Sequence, residues 1–435
     1  MGSEMCIRDR RKIKIGVLGG SRGKTMMEYA VKADDCEIVA VCDFNEEVLA
    51  SLRRFFEEKG HAVSLYSDFG QFLSSGIEAV VLANYANEHA PFAIQCLEKG
   101  LHVLSEVLPV CTLKEAVLLA EAVEKSGCVY RYAENYCYSR AAREMTRLFR
   151  AGEMGDFEYA EGEYMHNCEG GWGELTHFSR EHWRNRMDAF YYSTHSCGPV
   201  LHATGLRPVS VTGFEVPYNA KTSRMGCAAT PFAVEMVTLE NGGLLKSLHG
   251  IAPSRNSVWY CMYGSKGKFE SGREGISKGT EEVSISLDGI CGEAYKTYVP
   301  ADELSELAEI FGHGGSDFFT MRDFLSAIRG EESDGIGLYE ALDMYFVGHF
   351  AHISSVQGGI PVKIPDFRDP AVRESYREDD TSVFRPGNDF TKNPVSRYAT
   401  PDYPDSLYEG QRRAHEQALR ELAEKEAEAR KQAKE

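Results

Sequence analysis

The stretch that decides the fold reads Lys12-Ile-Lys-Ile-Gly16-Val-Leu-Gly19-Gly20-Ser21-Arg22-Gly23, in which a short apolar strand pattern leads directly into a glycine-rich turn. Glycines permit a tight turn and let backbone N–H groups approach a pyrophosphate at the start of the following helix. Ser21 stands where the strict G-x-G-x-x-G pattern has its second glycine. The turn alone is therefore a weak signal for dinucleotide binding, and that prediction depends on the strand and helix patterns around the turn.

Those segments alternate between strand and helix patterns. The second strand pattern, Glu37–Asp43, ends on a carboxylate that can accept hydrogen bonds from ribose hydroxyls. The same charge would repel a 2′-phosphate, so NAD is favoured over NADP. Further strand patterns at Glu78–Ala83 and His102–Ser105 are separated by helices, which indicates a parallel sheet covered on both faces. We therefore expect an α/β, NAD-binding Rossmann domain over residues 11–135.

The pattern changes after about residue 150, where apolar and polar residues alternate. Phe232–Leu239 and Leu244–His249 are joined by Asn241-Gly-Gly243, a strong hairpin signal, and a second hairpin follows Val258–Tyr263. We expect a substrate-binding, catalytic α+β domain with a large mixed or antiparallel sheet over residues 136–370. Residues 371–435 form a C-terminal extension whose charged last helix is interpreted as a solvated surface helix, in preference to a partner-binding coiled coil.

Composition excludes several classes of protein. The 435 residues carry 48 Lys and Arg against 66 Asp and Glu, a net charge of -18, which argues against nucleic-acid binding. No run approaches the roughly 18 apolar residues of a membrane span, and Met1–Arg10 lack the apolar region of a signal peptide. Neither C-x-x-C nor H-x-x-x-H spacing occurs. We expect reduced cysteines, no metal site and a cytoplasmic location.

The order of these motifs resembles the Gfo/Idh/MocA superfamily of sugar-directed NAD(P) oxidoreductases over residues 12–366. Within it, four stretches resemble glycoside hydrolase family 109, the NAD-dependent glycosidases: Ser105-Glu-Val107, Glu134-Asn-Tyr-Cys-Tyr138, Tyr192-Ser-Thr-His195 and His313-Gly-Gly-Ser-Asp317. Two departures stand out from the wider superfamily. Val107 replaces the lysine of its usual Glu-Lys-Pro, and Tyr191 stands where an aspartate four residues before the histidine is usual. The acid–base set of ordinary dehydrogenases therefore cannot be transferred unchanged.

The resemblance implies that Tyr192 and His195 are the catalytic pair. Oxidation of a secondary alcohol needs a group that removes the hydroxyl proton, which histidine does near neutrality and tyrosine does if its neighbours lower its pKa. Three positions apart, the two side chains would share one face of a helical turn. The alternative is that they pack and cap the start of a helix.

Family 109 chemistry implies oxidation of the C3 hydroxyl of a glycoside, elimination of the aglycone, hydration and re-reduction, so that the glycosidase is redox-neutral. Two alternatives remain open from the sequence. One is a net glycoside 3-dehydrogenase that yields 3-keto sugars for a separate lyase. The other is a non-catalytic sensor of NAD or sugar.

Further candidates follow from the turn, the strand ends and the resembling motifs. We expect the cofactor to be bound by Gly19, Gly20, Ser21, Arg22, Gly23, Asp43, Asn84, His89, Glu106 and Asn135, and the substrate by Tyr138, His166, Asn167 and Trp172. Asn84 and His89 follow a buried strand where open sheets bind ligands, and a capping polar pair is the alternative. Arg22 either touches phosphate or is solvated. The Trp172 indole could stack on a pyranose.

The expected partner is a small-molecule carbohydrate or glycoside, with neither nucleic acid nor membrane. A homo-oligomer is expected because the second domain's sheet commonly forms subunit contacts in related proteins. No metal is expected to take part in the chemistry.

Overall fold

The computed structural model describes residues 11–251, 254–292, 294–301, 303–384, 389 and 391–432, and its strands form two sheets. Met1–Arg10, in which no targeting signal was expected, lies outside the described residues. Within the described ranges, no helix is long and apolar enough to cross a membrane.

The first sheet is parallel and has the strand order β3-β2-β1-β4-β5-β6, so the predicted Rossmann domain is confirmed. Its strands are β1 (Ile13–Leu18), β2 (Cys36–Cys42), β3 (Ser64–Tyr66), β4 (Ala79–Leu82), β5 (His102–Ser105) and β6 (Tyr130–Tyr132). The connecting helices are α1 (Lys24–Lys32), α2 (Glu46–Lys59), α3 (Phe69–Leu73), α4 (His89–Glu98) and α5 (Leu113–Ser126). The strand order reverses between β1 and β4, and the carboxyl ends of these two strands border a crevice.

Local signals in the sequence account for the ends of these helices. The Asn45 side chain accepts hydrogen bonds from the backbone N–H groups of Glu47 and Val48, which caps α2. That helix ends at Gly60, where φ is +73°, a conformation that glycine adopts without strain. Thr112 accepts from the backbone N–H of Glu115 and starts α5 in the same way.

The second sheet has nine strands in the order β14-β13-β12-β11-β7-β10-β9-β8-β15. These are β7 (Phe157–Met165), β8 (Pro208–Glu215), β9 (Phe232–Leu239), β10 (Leu244–Gly250), β11 (Ser257–Gly264), β12 (Gly267–Ser271), β13 (Val283–Leu287), β14 (Lys296–Tyr298) and β15 (Val362–Lys363). Both predicted hairpins are present as antiparallel pairs. The sheet is mixed because β7 pairs with β10 in parallel.

The helices of the second half lie on and beside this sheet. They are α6 (Arg140–Arg150), α7 (Trp172–Leu175), α8 (Thr194–Thr204), α9 (Ala220–Met225), α10 (Gly275–Glu281), α11 (Ser305–Ala308), α12 (Ser316–Ile328), α13 (Leu338–Val356), α14 (Pro370–Glu374) and α15 (Asp405–Gln432). Helix α8 approaches β7 so closely that a Cβ on Gly162 would lie 1.8 Å from the carbonyl oxygen of Ser196. This contact sets the amino end of α8 against the sheet.

The charged C-terminal helix begins earlier than its sequence pattern suggests. Helix α15 starts at Asp405, and Tyr408 in its first turn is buried against the second domain. From residue 416 to 429 every described side chain is exposed. The interpretation as a solvated helix therefore holds only for the second half of α15, because Tyr408 in the first turn packs against the second domain.

Candidate active site

The glycine turn between β1 and α1 keeps its shape because two of its positions leave no room for a side chain. Gly19 has φ +93°, and a Cβ there would lie 2.4 Å from the backbone of Ala83. A Cβ on Gly23 would lie 2.4 Å from a methyl group of Val17. Ser21 is exposed, so the departure from the strict glycine pattern is accommodated without a clash.

Asp43 is fixed at the carboxyl end of β2 by two backbone donors. The N–H of Gly20 donates to its Oδ2 at 2.7 Å, and the N–H of Asn45 donates to its Oδ1 at 2.8 Å. The side chain is only half-buried. Each carboxylate oxygen can accept another hydrogen bond, so the group is placed to hold ribose hydroxyls, as its position in the sequence predicts.

A cleft of about 370 Å³ runs from Asp43 over the glycine turn to the end of β4. Its floor includes Gly19, Ser21, Arg22 and Asn84, and its other wall comes from the second domain. The Asn84 carboxamide is buried, and neither its oxygen nor its nitrogen has a hydrogen-bond partner. A buried amide without partners is expected to meet a ligand. Together with the cradle of the glycine turn, this orphaned group fits a dinucleotide.

A second cavity, of about 310 Å³, adjoins the first and contains Tyr192 and His195. His195 lies in the first turn of α8, and its Nδ1 is 2.6 Å from Oε1 of Glu134. The rings of Tyr192 and His195 meet edge to face, with their centroids 4.7 Å apart. Glu134 is fully buried and caps the short 3-10 turn that follows it. The carboxylate therefore orients the imidazole and leaves Nε2 for the cavity.

Tyr192 ends a short 3-10 turn that runs from Ala189. Burial raises the pKa of Tyr192, although the positive charge of Arg184 acts in the opposite direction. The hydroxyl therefore remains protonated at neutral pH and acts as a hydrogen-bond donor. The condition under which a tyrosine could accept the proton, a pKa lowered by its neighbours, is not met at Tyr192, because burial outweighs the nearby charge.

Aromatic side chains surround His195. The ring centroids of Tyr136 and Tyr164 lie 4.8 and 4.7 Å from that of His195. His249 stacks on Tyr164 at 5.4 Å, and neither of its ring nitrogens has a hydrogen-bond partner. Burial, together with the charges of His195 and His166, lowers the pKa of His249 to about 3. The His249 ring is therefore neutral, and its nitrogens can meet sugar hydroxyls.

Arg22 links the glycine turn to two other parts of the chain. Its Nη2 lies 2.5 Å from Oε1 of Glu106, and its guanidinium donates to both oxygens of Asp317 at 3.2 and 3.3 Å. Nδ1 of His313 lies 3.0 Å from the same Asp317 carboxylate. Burial raises the pKa of Asp317, but His313 and Arg22 outweigh it and hold that pKa well below its usual value. Arg22 is thus an ion-paired bridge in both cavities, and is not a solvated side chain.

The structure separates the predicted site residues into three groups. Those that line one of the two cavities are Gly19, Ser21, Arg22, Asp43, Asn84, Glu106, Asn135, His166, Trp172, Tyr192 and His195. Gly20 and Gly23 shape the turn beneath them. Three others, Tyr138, Asn167 and His89, line neither.

Each of these three side chains is engaged elsewhere. The Tyr138 hydroxyl accepts from the backbone N–H of Ile336 at 3.3 Å, on the far side of its 3-10 turn from Asn135. Asn167 accepts from Lys221 and donates to the Ser254 carbonyl.

His89 is buried, with its nitrogens 2.9 and 3.3 Å from the carbonyl oxygens of Leu108 and Asn84. His89 thus connects the loop after β4 to the loop after β5. This agrees with the alternative in which His89 is a capping polar residue and does not bind the cofactor. Of the pair Asn84 and His89, only Asn84 reaches the cleft.

Sequence reasoning missed several residues of the site, namely Glu134, Tyr164, Arg184 and His249. Glu134 stands beside Asn135 in a stretch that was already singled out, so its signal was available. Tyr164 and His249 become neighbours only through the parallel pairing of β7 with β10. That pairing joins segments distant in the chain and leaves no local signal.

Comparison with known proteins identifies both halves of this arrangement. Residues 13–134 match the model of the Gfo/Idh/MocA oxidoreductase family, NAD-binding Rossmann fold. Residues 295–373 match that of the glycosyl hydrolase 109 C-terminal domain. The chain is therefore similar to a Gfo/Idh/MocA Rossmann domain in its first part and to a family 109 C-terminal domain over residues 295–373. The resemblance stated from the sequence motifs is thereby confirmed.

Relatives of the family 109 type span most of this chain. A glycosyl hydrolase family 109 protein from Stenotrophomonas maltophilia is 23% identical and covers 82% of this chain and 89% of its own length. An alpha-N-acetylgalactosaminidase from Tannerella forsythia is 25% identical over 82% of this chain and 86% of its own. A levoglucosan dehydrogenase solved with NADH and levoglucosan has a TM-score of 0.68 at 17% identity, over 82% of this chain and 100% of that one. This structure shows the shared fold.

The match to an NAD-binding Rossmann domain, together with the matches to glycosyl hydrolases, identifies the chain as an NAD-dependent enzyme with NAD as its cofactor. Asp43, the glycine turn and Asn84 are the residues that would hold it. Among the described residues, no group of histidine, cysteine and carboxylate side chains could hold a metal ion.

Proposed function

We propose that this enzyme oxidises the C3 hydroxyl of a glycoside and, in a redox-neutral cycle, hydrolyses the glycosidic bond. The observation that carries the proposal is the His195–Glu134 pair, 2.6 Å apart, in a cavity that adjoins the cofactor cleft. Arg22 and Arg184 line both spaces, so a sugar in one lies beside a cofactor in the other.

Bound NAD supplies a reversible acceptor for the hydride of the sugar carbon. The residues of this chain supply the handling of protons. His195, held by Glu134, accepts the proton of the substrate hydroxyl through Nε2. Tyr192, which stays protonated, donates a hydrogen bond to the same oxygen and fixes its position.

Oxidation at C3 makes the C2 proton acidic, because the carbanion is delocalised into the ketone. The aglycone at C1 is then eliminated, and water adds across the resulting double bond to restore hydrogen at C2. Return of the hydride to C3 completes net hydrolysis, with the same redox state at the end as at the start. The neutral His249 and the Trp172 indole are placed to hold the sugar during this sequence.

The carboxyl groups that line the cavity are engaged in ways that suit this route. Glu106 is ion-paired to Arg22, and Asp188 accepts a hydrogen bond from the Thr230 hydroxyl at 3.1 Å. Burial and the neighbouring Glu215 raise the pKa of Asp188 well above its usual value. An ordinary glycosidase needs a carboxylic acid and a free carboxylate on opposite sides of the scissile bond. Since the Glu106 carboxylate is held in an ion pair with Arg22, it is not the free carboxylate that this route needs, which supports the oxidative route.

The experiment follows aglycone release and bound-cofactor absorbance together on a panel of glycosides. An aryl α-N-acetylgalactosaminide is the first substrate, because relatives of this chain bear the name of that activity. Free aglycone without net reduction of NAD supports the proposal. Accumulation of a 3-keto sugar supports a net glycoside 3-dehydrogenase, and bound NAD with no turnover on the whole panel supports a sensor.

A further inference from the structure

One wall of the cofactor cleft belongs to the second domain. We call residues 174–184 the roof segment, because Glu174, Leu175, His177, His182, Trp183 and Arg184 line the cleft opposite the glycine turn. The roof segment meets the Rossmann domain at Tyr85, whose ring centroid lies 5.3 Å from His182 and 6.3 Å from Trp183. A cofactor in the cleft is therefore enclosed between the two domains.

The backbone of the roof segment is strained at its middle. His177 and Phe178 have φ values of +51° and +50°, a region that residues other than glycine rarely adopt. Two such residues in succession persist only where neighbouring structure holds them. Another part of the chain must therefore hold the roof segment in this conformation.

Besides contacts with Tyr85, Gly173 and His182, the strained residues contact the first turns of α15. The ring centroids of Phe178 and His415 lie 5.3 Å apart, and Arg412 Nη2 donates to the carbonyl oxygen of His177 at 3.4 Å. Nδ1 of His415 is 3.5 Å from Oε1 of Glu174. We call residues 402–415 the clasp.

The clasp is itself anchored to the second domain. The Tyr408 hydroxyl donates to the carbonyl oxygen of Gly226 at 2.7 Å, and its ring fills the space that a Cβ on Gly226 would need. Gln411 donates to the carbonyl oxygen of Arg224 at 2.7 Å, and Asp402 pairs with Arg180 of the roof segment. Beyond residue 415 the helix is exposed, so only its first turns serve this purpose.

Arg184 gives the roof segment a positive charge that can face a bound cofactor. It lines both cavities, and its guanidinium lies 4.8 Å from the Trp183 ring with no carboxylate partner among the described residues. An unpaired guanidinium beside a dinucleotide cleft suits an anionic group such as a phosphate.

We propose that the clasp is a positioning element for the cofactor: it holds the roof segment, and Arg184 with it, over bound NAD and slows NAD release. Arg412 and His415, which contact the roof segment, line neither of the two cavities. The proposal rests on NAD binding alone, so it stands or falls separately from the glycosidase function.

Two truncations test the proposal in the full enzyme. A stop after Pro404 removes α15, and a stop after His415 keeps the clasp and removes only the exposed part of the helix. The readouts are the NAD that remains bound after gel filtration and the rate of NAD release on dilution. We expect about tenfold faster release from the Pro404 stop and an unchanged rate from the His415 stop. Equal rates in the two truncations would overturn the proposal.

A point variant keeps the test decisive if the shorter chain fails to fold. The double variant Arg412→Ala with His415→Ala removes the contacts with the roof segment, and both positions are at least half-exposed. The matched control on the same helix is Arg413→Ala with Arg420→Ala, at two exposed positions. We expect faster NAD release from the first pair only. If both pairs release NAD like the full chain, the clasp has no such role.

A double-mutant cycle separates positioning from general stability. If the clasp acts through Arg184, the effect of Arg412→Ala with His415→Ala on NAD release shrinks in an Arg184→Gln background. A clasp that merely stabilised the fold would give additive effects and lower the melting temperature in proportion. Additivity would therefore contradict the assignment to Arg184.

Discussion

Nδ1 of His195 lies 2.6 Å from Oε1 of Glu134, and both side chains are buried. The two residues are 61 positions apart in the chain: Glu134 follows β6 of the first sheet, and His195 lies in α8. A carboxylate in this place sets the tautomer and orientation of the imidazole. The proposed proton transfer depends on this contact.

Replacement of Glu134 by glutamine is expected to lower kcat about 10²-fold, because an amide no longer holds the imidazole in the tautomer that leaves Nε2 able to accept a proton. NAD binding should be unchanged, since Glu134 does not line the cofactor cleft. The matched control is Glu340→Gln. Glu340 of α13 contacts His202 at the same 2.6 Å, and His202 lies on the same helix α8 as His195 but outside the cavity. Equal losses of kcat in both variants would contradict the role of Glu134.

Replacement of Tyr192 by phenylalanine tests whether this residue donates a hydrogen bond or accepts a proton. Because burial raises the pKa of Tyr192, we expect turnover to fall about 10²-fold with no change in the shape of the rate–pH profile. A proton acceptor would behave differently, since its loss removes one limb of the profile. Rates between pH 5 and 10 (about one point per half unit) make the distinction.

Asp43 is expected to set the preference for NAD. In Asp43→Ser the carboxylate that repels a 2′-phosphate is gone, so NAD affinity should fall about tenfold and NADP affinity should rise. Titration of both cofactors by fluorescence measures the change. Asp34→Asn, an exposed residue paired with Lys12 outside the cleft, is the control. An unchanged ratio of the two affinities in Asp43→Ser would show that another residue sets the preference.

His202 is expected to make stability depend on pH. Burial lowers the pKa of His202, but hydrogen bonds to Asp334 and Glu340 raise it from 6.5 to about 9. The protonated form is thus favoured in the folded state. Its contribution, on the order of 3 kcal/mol, is fully present below pH about 6.5 and is lost as pH rises through about 9.

Urea unfolding at about pH 6 and about pH 9.5 measures this contribution. The free energy of unfolding should fall more over this interval in the parent protein than in His202→Gln. A parallel dependence on pH in the two proteins would exclude His202 as the cause.

Much of the fold follows from local signals in the sequence. Asn45 and Gly60 mark the ends of α2, and Asn241 with its two glycines marks the hairpin between β9 and β10, because capping and turn chemistry act over a few residues. The glycine turn and Asp43 likewise sit where their spacing predicts, at the ends of adjacent strands.

The parts that could not be predicted depend on distant segments. Arg22 bonds to Asp317, 295 residues further along, and neither residue type indicates its partner. Tyr138 shares a 3-10 turn with Asn135, yet only Asn135 reaches the cavity, since the direction of a side chain depends on local backbone geometry. The packing of the clasp against the second domain could not be predicted from its charged helix pattern, because that packing depends on a single buried tyrosine, Tyr408.

The central claim, that the aglycone leaves by elimination after oxidation at C3, is tested most directly by turnover in deuterium oxide. The sugar that is released from an aryl glycoside is analysed by NMR and mass spectrometry. The proposed route predicts one solvent deuterium on C2, because that proton is lost and then restored from water. Release of a sugar that keeps its original hydrogen at C2 would contradict the account, whatever the residues that perform the reaction.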